Sequence, residues 1–194
     1  MTGHKFLSKY KEMRDFSATP EPSGGNPKAG RGRVKKTVFV VQKHDASHLH
    51  YDFRIEVDGV LKSWAVPKGP SADPSDKRLA MPTEDHPLEY TEFEGKIPEG
   101  NYGAGAMIIW DTGTYRNLKD ISMSEALDSG HLAIWLDGKK LKGGYSLRRV
   151  EIRDRVKWLL VKMKDAEAGQ RDLIVDQPNS VISGLSVEEM DQRG

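Results

Sequence analysis

The segment from Lys43 to Glu56, KHDASHLHYDFRIE, contains the side chains best suited to metal and acid–base chemistry. Three of the six histidines of the chain lie here, at positions 44, 48 and 50. Successive side chains of a β-strand point to opposite faces. One face would carry His50, Asp52, Arg54 and Glu56, and the other Leu49, Tyr51, Phe53, Ile55 and Val57. This alternation predicts a strand that packs on a core and presents a reactive row outward.

His44, His50 and Asp52 form a candidate metal-binding set. Imidazole and carboxylate ligands suit Mn²⁺, Fe²⁺ or Zn²⁺, and three protein ligands leave coordination positions open for water and substrate. A tight turn over residues 45–48 would bring His44 onto the face of His50 and Asp52, with His48 pointing elsewhere. The alternative is three unrelated surface histidines, and the shared face favours the metal site.

Several cationic side chains follow this strand and indicate an anionic substrate. Arg54 lies two residues after a candidate ligand on the same face, where a guanidinium could hold a phosphate or carboxylate through two hydrogen bonds. Lys68 lies in a Pro/Gly-rich loop, and Arg78 follows. His86 precedes a proline and is a candidate for contacting a transferring phosphoryl group.

The composition restricts the class of protein. The chain has 194 residues and no cysteine, which excludes disulfides and cysteine-based zinc sites. No apolar run has the length of a membrane helix, and no signal-peptide core is present, so we expect a cytoplasmic protein without membrane contact. A basic run follows a Pro/Gly/Ser-rich stretch and predicts either a nucleic-acid-binding arm or a solvated linker: Lys28, Arg31, Arg33, Lys35, Lys36 and Lys43.

The pattern of short apolar runs predicts a mainly β protein, an antiparallel barrel or sandwich with short helices. Strands are expected at 37–44, 49–57, 60–66, 88–95, 106–115, 132–136, 141–150 and 157–163. Asp58-Gly59 and Gly143-Gly144 are expected to form turns. Helices are expected at 4–15 and at 122–129, where Ser122 and Glu125 fit a capping box. The predicted organisation is an N-terminal helix and basic flexible arm (1–35), a barrel (36–165) and a C-terminal tail or linker (166–194).

Two other functions are compatible with these residues. His-x-Asp with a second histidine, His44 or His131, is also the pattern of a non-haem Fe(II) oxygenase. A non-enzymatic nucleic-acid-binding module would have structural histidines and a basic arm. A nucleotidyl-transferring ligase is excluded, because its Lys-x-Asp-Gly signature would need lysine where the chain has Glu56. The cluster of cations favours a polyanionic substrate.

The runs FVVQKHDASHLHYDFRIEVDGVLKSWAVPKGPS and KRLAMPTEDHPLEYTEFEGKIPEGNYGAG, with RDFSATPEPSGG before them, resemble the 3′-phosphoesterase domain of bacterial DNA ligase D. The resemblance covers about residues 10–165. It implies a β-barrel with an outer-surface active-site groove. It also implies Mn²⁺-dependent removal of 3′-terminal ribonucleosides (phosphodiesterase) and 3′-phosphates (phosphomonoesterase), which leaves a 3′-OH for repair. Zn²⁺ and Co²⁺ are possible replacements for Mn²⁺.

The resemblance also implies roles for particular residues and partners. His44, His50 and Asp52 would bind the metal. The catalytic group would be Arg54, His86, Tyr90 and, as a weaker candidate, Glu84. Substrate contacts would come from Lys68, Arg78, Arg14, Asp15 and Glu21, of which the last three support ribonucleoside removal. The implied partners are DNA primer–template 3′ ends, ligase and polymerase modules and Ku, at the nucleoid. The pattern departs at His48, where a basic residue such as arginine is expected.

Overall fold

The computed structural model describes residues 7–24, 37–152 and 155–193 of the chain. Nine strands lie in these ranges: β1 (Val38–Asp45), β2 (Leu49–Val57), β3 (Val60–Val66), β4 (Arg78–Pro82), β5 (Gly95–Ile97), β6 (Gly105–Asn117), β7 (His131–Gly138), β8 (Lys142–Ile152) and β9 (Arg155–Lys162). The helices there are short: α1 (Ser8–Glu12), α2 (Met123–Asp128), α3 (Leu173–Asp176), α4 (Val187–Asp191) and a 3₁₀ turn at Leu88–Glu92.

Eight of these strands close into an antiparallel barrel. The strand order is β1-β2-β3-β4-β9-β8-β7-β6, and β1 pairs with β6 as well as with β2, which completes the ring. Strand β5 adds to β6 outside the ring. Ring closure gives each of the eight strands a partner on both sides, with the shortest pairing, of two residue pairs, between β3 and β4. The predicted antiparallel barrel is confirmed.

Two consecutive hairpins build the wall that carries the candidate site. Strands β2 and β3 are joined by Asp58 and Gly59, which both have positive φ, as a tight right-twisted hairpin turn requires. Between β1 and β2, residues 46–48 turn the chain so that His44 and His50 are direct cross-strand partners. The predicted turn does bring His44 onto the face of His50 and Asp52.

Both faces of β2 are buried, which the sequence pattern did not predict. Tyr51, Phe53, Ile55 and Val57 point into the barrel core, as expected from the alternation. The opposite row, which was expected to face outward, is covered by a second apolar layer, so that Arg54 is only 2% exposed. This layer consists of Tyr10, Leu61, Tyr90, Phe93, Ile97 and Met107. The candidate site therefore lies on the outer side of the barrel wall but beneath a cover.

Two local predictions are wrong, and one strand was not predicted. Residues 88–95 do not form a strand, because Pro87 precedes a 3₁₀ turn and extended pairing starts only at Gly95. Strand β4 was not predicted, since it is short and held mainly by its pairing with β9. Gly143 and Gly144 lie inside β8 rather than in a turn. A Cβ at Gly143 would come within 2.7 Å of Asp165, so the glycines make room for a neighbouring ion pair.

The segments that flank the barrel pack against it in part. Helix α1 falls within the predicted N-terminal helix, and α2 has the predicted capping box between Ser122 and Glu125. The basic residues from Lys28 to Lys36 lie outside the described residues, whereas Lys43 belongs to β1 and is buried. Toward the C-terminus, α4 packs on β6. None of the helices in the described ranges is both long and apolar enough to cross a membrane.

Candidate metal and phosphate site

The β1–β2 hairpin brings the three predicted metal ligands together. His44 Nδ1 lies 3.6 Å from one carboxylate oxygen of Asp52, and His50 Nε2 lies 3.6 Å from the other. The candidate ligand atoms all lie within 4.8 Å of one another. Such a cluster of two imidazoles and a carboxylate can hold a divalent metal ion and leave positions open for other ligands.

Backbone carbonyls orient both imidazoles. His44 Nε2 is 2.8 Å from the carbonyl oxygen of Gly103, and His50 Nδ1 is 2.8 Å from that of His48. A carbonyl can only accept, so each contact fixes an N–H on that nitrogen. The other nitrogen of each ring faces Asp52, where it can donate to the carboxylate when the ring is protonated or bind a metal when the ring is neutral. Metal-binding histidines are held in this way by their second nitrogen. The ring orientations therefore fit a metal ion.

Asp52 connects the candidate metal ligands to Arg54. Burial would raise the pKa of Asp52, but Arg54 and hydrogen bonds from His44 and His50 outweigh it and hold that pKa well below its usual range. Burial likewise opposes protonation of His50, yet its contacts with Asp52 raise its pKa. The carboxylate is thus ionised over the whole neutral range, the state in which it can bind a cation.

Arg54 is fixed in place by four contacts. Its Nε donates to Gln42 at 2.7 Å and its Nη2 to Asp52 at 3.0 Å. Its Nη1 lies 3.0 Å from both Ser63 Oγ and His86 Nδ1. A guanidinium carries five N–H groups, so these contacts leave at least one for a ligand in the cleft. The arginine needs little reorganisation to bind an anion next to Asp52.

His86 is a buried, neutral imidazole between two arginines. Burial, Arg54 and Arg14 all lower its pKa, to well below the usual value. The position of His86 is set by β3, because its backbone N–H and C=O pair with Leu61 at 3.0 and 2.8 Å. Its Nε2 lies 3.4 Å from Arg14 Nη2. Two cations and one neutral imidazole thus converge beside the metal cluster.

The N-terminal segment supplies Arg14 from above the barrel wall. Arg14 forms ion pairs with Glu21 at 2.9 Å and Glu84 at 3.0 Å, and its guanidinium stacks on the ring of Tyr10 at 4.0 Å. The hydroxyl of Tyr90 donates to the same Glu21 oxygen at 2.7 Å. The ring of Tyr90 packs against the guanidinium of Arg54, with 4.9 Å between the guanidinium carbon and the ring centroid. These contacts tie the segment around residues 10–21 to the site.

A cleft of about 300 Å³ joins most of the predicted residues. Its lining includes Arg14, His44, His50, Asp52, Arg54, Glu84, His86 and Tyr90. Glu21 lies behind it, in contact with Arg14 and Tyr90. Three further predicted site residues lie away from the cleft. Asp15 is exposed and binds Ser17, Lys68 is exposed in the loop after β3, and Arg78 pairs with Asp76 in a separate pocket.

Two other histidines of the described residues, His48 and His131, do not join the cluster. His48 is exposed and contributes its carbonyl rather than its ring. His131 contacts Ser146 on the β7–β8 side of the barrel and is not part of the candidate metal set, so the iron site that would use it is not formed.

Three residues that support the site were not predicted from the sequence. Gln42 orients Arg54 and also donates to the carbonyls of Tyr90 and Phe93, which fixes the covering layer. Ser63 contacts both Arg54 and His86, and Gly103 orients His44. Gln42 lies on the same strand face as His44, two residues away, and that spacing was the available signal. Nothing local indicates Ser63 or Gly103.

Comparison with known proteins places this chain in a family. Residues 42–149 match the DNA Ligase D 3′-phosphoesterase domain. The chain belongs to this family. It is 51% identical over 187 residues to the multifunctional non-homologous end joining protein LigD of Pseudomonas aeruginosa, covering 94% of this chain and 22% of that protein. It is 47% identical over 160 residues to LigD of Mycobacterium tuberculosis, and this alignment covers 82% of this chain and 20% of that protein. LigD of Mycolicibacterium smegmatis is 45% identical to this chain over 165 residues, and this alignment covers 82% of this chain and 21% of that protein.

The match to the DNA ligase D 3′-phosphoesterase family begins at Gln42, so it includes the whole candidate metal set, Arg54 and His86. The chain spans about a fifth of the length of these curated relatives. The longest of these alignments, to the Pseudomonas protein, covers nearly the whole chain, including most of the segments on either side of the barrel.

Proposed function

We propose that this chain is a metal-dependent phosphoesterase that repairs DNA 3′ ends, removing terminal ribonucleosides and 3′-phosphates to leave a 3′-OH. The observation that carries the proposal is the position of Asp52. One carboxylate lies 3.6 Å from both candidate histidine ligands and 3.0 Å from Arg54. A metal ion bound to Asp52 and the guanidinium of Arg54 would both face the same small volume. Two positive groups on one small volume suit the binding of a phosphate.

In this proposal His44, His50 and Asp52 hold the metal, with Mn²⁺ as the first choice and Zn²⁺ or Co²⁺ as replacements. When bound, such a metal supplies Lewis-acid stabilisation of charge on a phosphate oxygen. Arg54 binds a second phosphate oxygen through its remaining N–H. Hydrogen-bond donors already aimed at the developing charge lower the barrier because they need no reorganisation.

His86 is proposed to contact the scissile phosphate. Its pKa is low because Arg54 and Arg14 face it in a buried site. A bound phosphate brings negative charge that offsets the two arginines and raises the pKa of His86. The ring could then hold a proton and donate it to the leaving oxygen, or it could bind the phosphate as a neutral donor. Tyr90 and Glu84 act through Arg54 and Arg14, which they contact.

Arg14 and Glu21 are proposed to serve ribonucleoside removal, because they belong to the segment that covers the cleft. Asp15 binds Ser17 and would act by shaping the turn that follows Arg14. Lys68 and Arg78 lie outside the cleft, and we assign them to phosphates of the DNA strand farther from the reacting end. Cations in such positions increase affinity without reading sequence.

The relatives are named as multifunctional non-homologous end joining proteins. We therefore propose that the chain acts in double-strand-break repair on primer–template 3′ ends, together with ligase and polymerase modules and Ku, at the nucleoid in the cytoplasm. The barrel at 36–165 would be the catalytic unit, with 1–35 and 166–194 as its flanking segments.

The decisive experiment compares His50→Ala with His48→Ala on primer–templates that end in a 3′-phosphate or a 3′-ribonucleotide. The two histidines lie in one hairpin, but only the ring of His50 faces the metal cluster. Because outer-shell changes alone cost 10- to 100-fold, we expect loss of a ligand to lower Mn²⁺-dependent turnover by more than about 100-fold. His48→Ala should retain activity within about 2-fold, and chelation should abolish turnover by the unmodified protein.

A His50→Ala protein that still clears both ends with Mn²⁺ would contradict the metal assignment. Salt-sensitive DNA binding without metal-dependent turnover would instead support a binding module. Oxidation that requires Fe²⁺ and O₂ would support an oxygenase.

A further inference from the structure

Tyr102 is a half-exposed aromatic residue at the mouth of the cleft. Its exposed fraction is 49%, whereas the other five tyrosines of the chain are at most 2% exposed. It lines the cleft together with His44, Asp52 and Arg54. Single exposed apolar side chains are common on protein surfaces, so the informative feature of Tyr102 is its place in the lining of the cleft beside charged groups.

The loop that carries Tyr102 is held in place by hydrogen bonds. Ala104 N donates to the carbonyl of Asn101 at 3.1 Å, and the Asn101 side chain donates to the carbonyl of Ala18 at 3.3 Å, which ties the loop to the N-terminal segment. The following residue, Gly103, accepts the hydrogen bond that orients His44. The ring of Tyr102 is therefore kept at a set position relative to a metal ligand.

Arg14 approaches the ring of Tyr102 from inside the cleft, with 5.4 Å between the guanidinium carbon and the ring centroid. Arg14 lies over the ring, and about half of the residue surface remains exposed to solvent. An exposed aromatic ring beside the proposed phosphate site is suited to stacking on a nucleobase, an interaction that every base can make.

We propose that Tyr102 is the stacking platform for the base of the nucleotide that carries the scissile 3′-phosphate. This proposal rests on the proposed function and adds how the end is gripped: the phosphate enters the metal cleft and the base lies on Tyr102. Stacking does not depend on hydrogen-bond readout, so all four bases are accepted. Recognition of the end then comes from the base plane and the phosphate together.

The test combines a variant with a substrate that lacks the base. Primer–templates carrying a 3′-phosphate on a normal nucleotide or on an abasic one are compared for the unmodified protein and for Tyr102→Ala. With the base present, Tyr102→Ala should lower kcat/KM by about 5- to 150-fold, mainly through KM. With the abasic end, it should change kcat/KM by less than about 2-fold. Tyr102→Trp should behave like the unmodified protein.

Leu118→Ala is the matched control, because Leu118 is 41% exposed and does not line the cleft. It should leave both substrates unaffected. Mn²⁺ affinity should be the same for Tyr102→Ala as for the unmodified protein, because the loop orients His44 through the backbone carbonyl of Gly103 and not through the side chain of Tyr102. Equal losses on both substrates would overturn the proposal, as would no loss on either.

Equilibrium binding of the two ends in the presence of chelator separates this proposal from the proposed function. If the unmodified protein hydrolyses neither end, the phosphoesterase function fails. Stacking still predicts that the base-containing end binds more tightly than the abasic end, and that Tyr102→Ala removes this difference. Identical binding of both ends by the unmodified protein would overturn stacking itself.

Discussion

His86 illustrates how neighbours decide the state of a single side chain. An isolated histidine is half protonated near pH 6.5, but burial and two facing arginines keep this one neutral. A buried neutral group between cations is poised to respond to negative charge. Under the proposed function, a bound phosphate would raise the pKa of His86, because its negative charge offsets that of the two arginines.

The low pKa of His86 has a consequence for stability. Below about pH 6.5 the unfolded chain binds a proton at this residue, whereas the folded chain does not until the pH falls to the lowered pKa. Acidification through this window therefore favours unfolding. We expect His86→Gln to lose less free energy of unfolding than the unmodified protein between pH 7.5 and pH 5.5, measured by urea denaturation.

Comparing the two proteins isolates this contribution, because His50 has a raised pKa and acts in the opposite direction in both of them. The same pH dependence in His86→Gln and in the unmodified protein would show that folding does not lower the pKa of His86.

At the residue scale, the sequence predicted well what depends on alternation along one strand. His50, Asp52 and Arg54 share a face because the side-chain period of a strand is two. The contacts of Ser63 with Arg54 and of Gly103 with His44 depend on how distant segments pair, and no short-range pattern encodes that pairing. The cover over Arg54 was missed for the same reason, since it comes from Tyr10 and Tyr90.

Among the elements, β6 begins with its backbone very close to the end of β1, the strand with which it pairs. Gly105 has a φ of +139°, and a Cβ there would lie 2.0 Å from the carbonyl oxygen of Asp45, the residue after His44. Backbone atoms cannot move aside as a flexible side chain can. The glycine therefore allows β6 to support the β1 end that carries a metal ligand.

We expect Gly105→Ala to lower the free energy of unfolding by at least about 3 kcal/mol and to weaken Mn²⁺ binding, because β1 must shift at Asp45. Gly100→Ala is the control, since Gly100 also has a positive φ but nothing lies within 4 Å of its added Cβ. It should cost about 1–2 kcal/mol and leave Mn²⁺ affinity unchanged. Equal effects in urea denaturation and metal titration would contradict the close-approach argument.

Element predictions succeeded where turn and alternation signals coincided. The β2–β3 hairpin is found at the predicted residues because Asp58-Gly59 specifies its turn. The prediction failed at 88–95, where an alternating pattern was interpreted as a strand although Pro87 and the burial of Tyr90 favour a 3₁₀ turn. Strand β4 has too few residues to show a period, and its partner β9 lies about eighty residues away.

At the scale of the whole molecule, the C-terminal segment packs against the barrel. Gln177 accepts hydrogen bonds at its carbonyl from Trp110 at 2.8 Å and from Lys140 at 2.7 Å. Leu173 packs into the main core, and Val187 and Met190 of α4 cover Ile108 of β6. The segment thus contributes to the fold, which composition alone did not indicate.

Two valines in this segment provide a matched test. Val187 is 1% exposed and Val175 is 71% exposed. We expect Val187→Ala to lower the free energy of unfolding by about 2 kcal/mol, because it removes two buried methyl groups and leaves a cavity. Val175→Ala should stay within about 0.5 kcal/mol of the unmodified protein. Equal unfolding midpoints in urea for the two variants would show that α4 does not contribute to stability.

The position of the metal ligands along the chain has a consequence for the order of folding. His44, His50 and Asp52 all belong to one hairpin, which can form without long loop closure. Arg14, Glu84 and His86 reach the cleft only after segments some thirty residues to either side have docked, and the ring itself closes through the distant β1–β6 pairing. If these residues bind a metal as proposed, the ligands would be brought together by the hairpin before the phosphate-binding residues arrive, and docking of Gly103 would then fix the ring of His44.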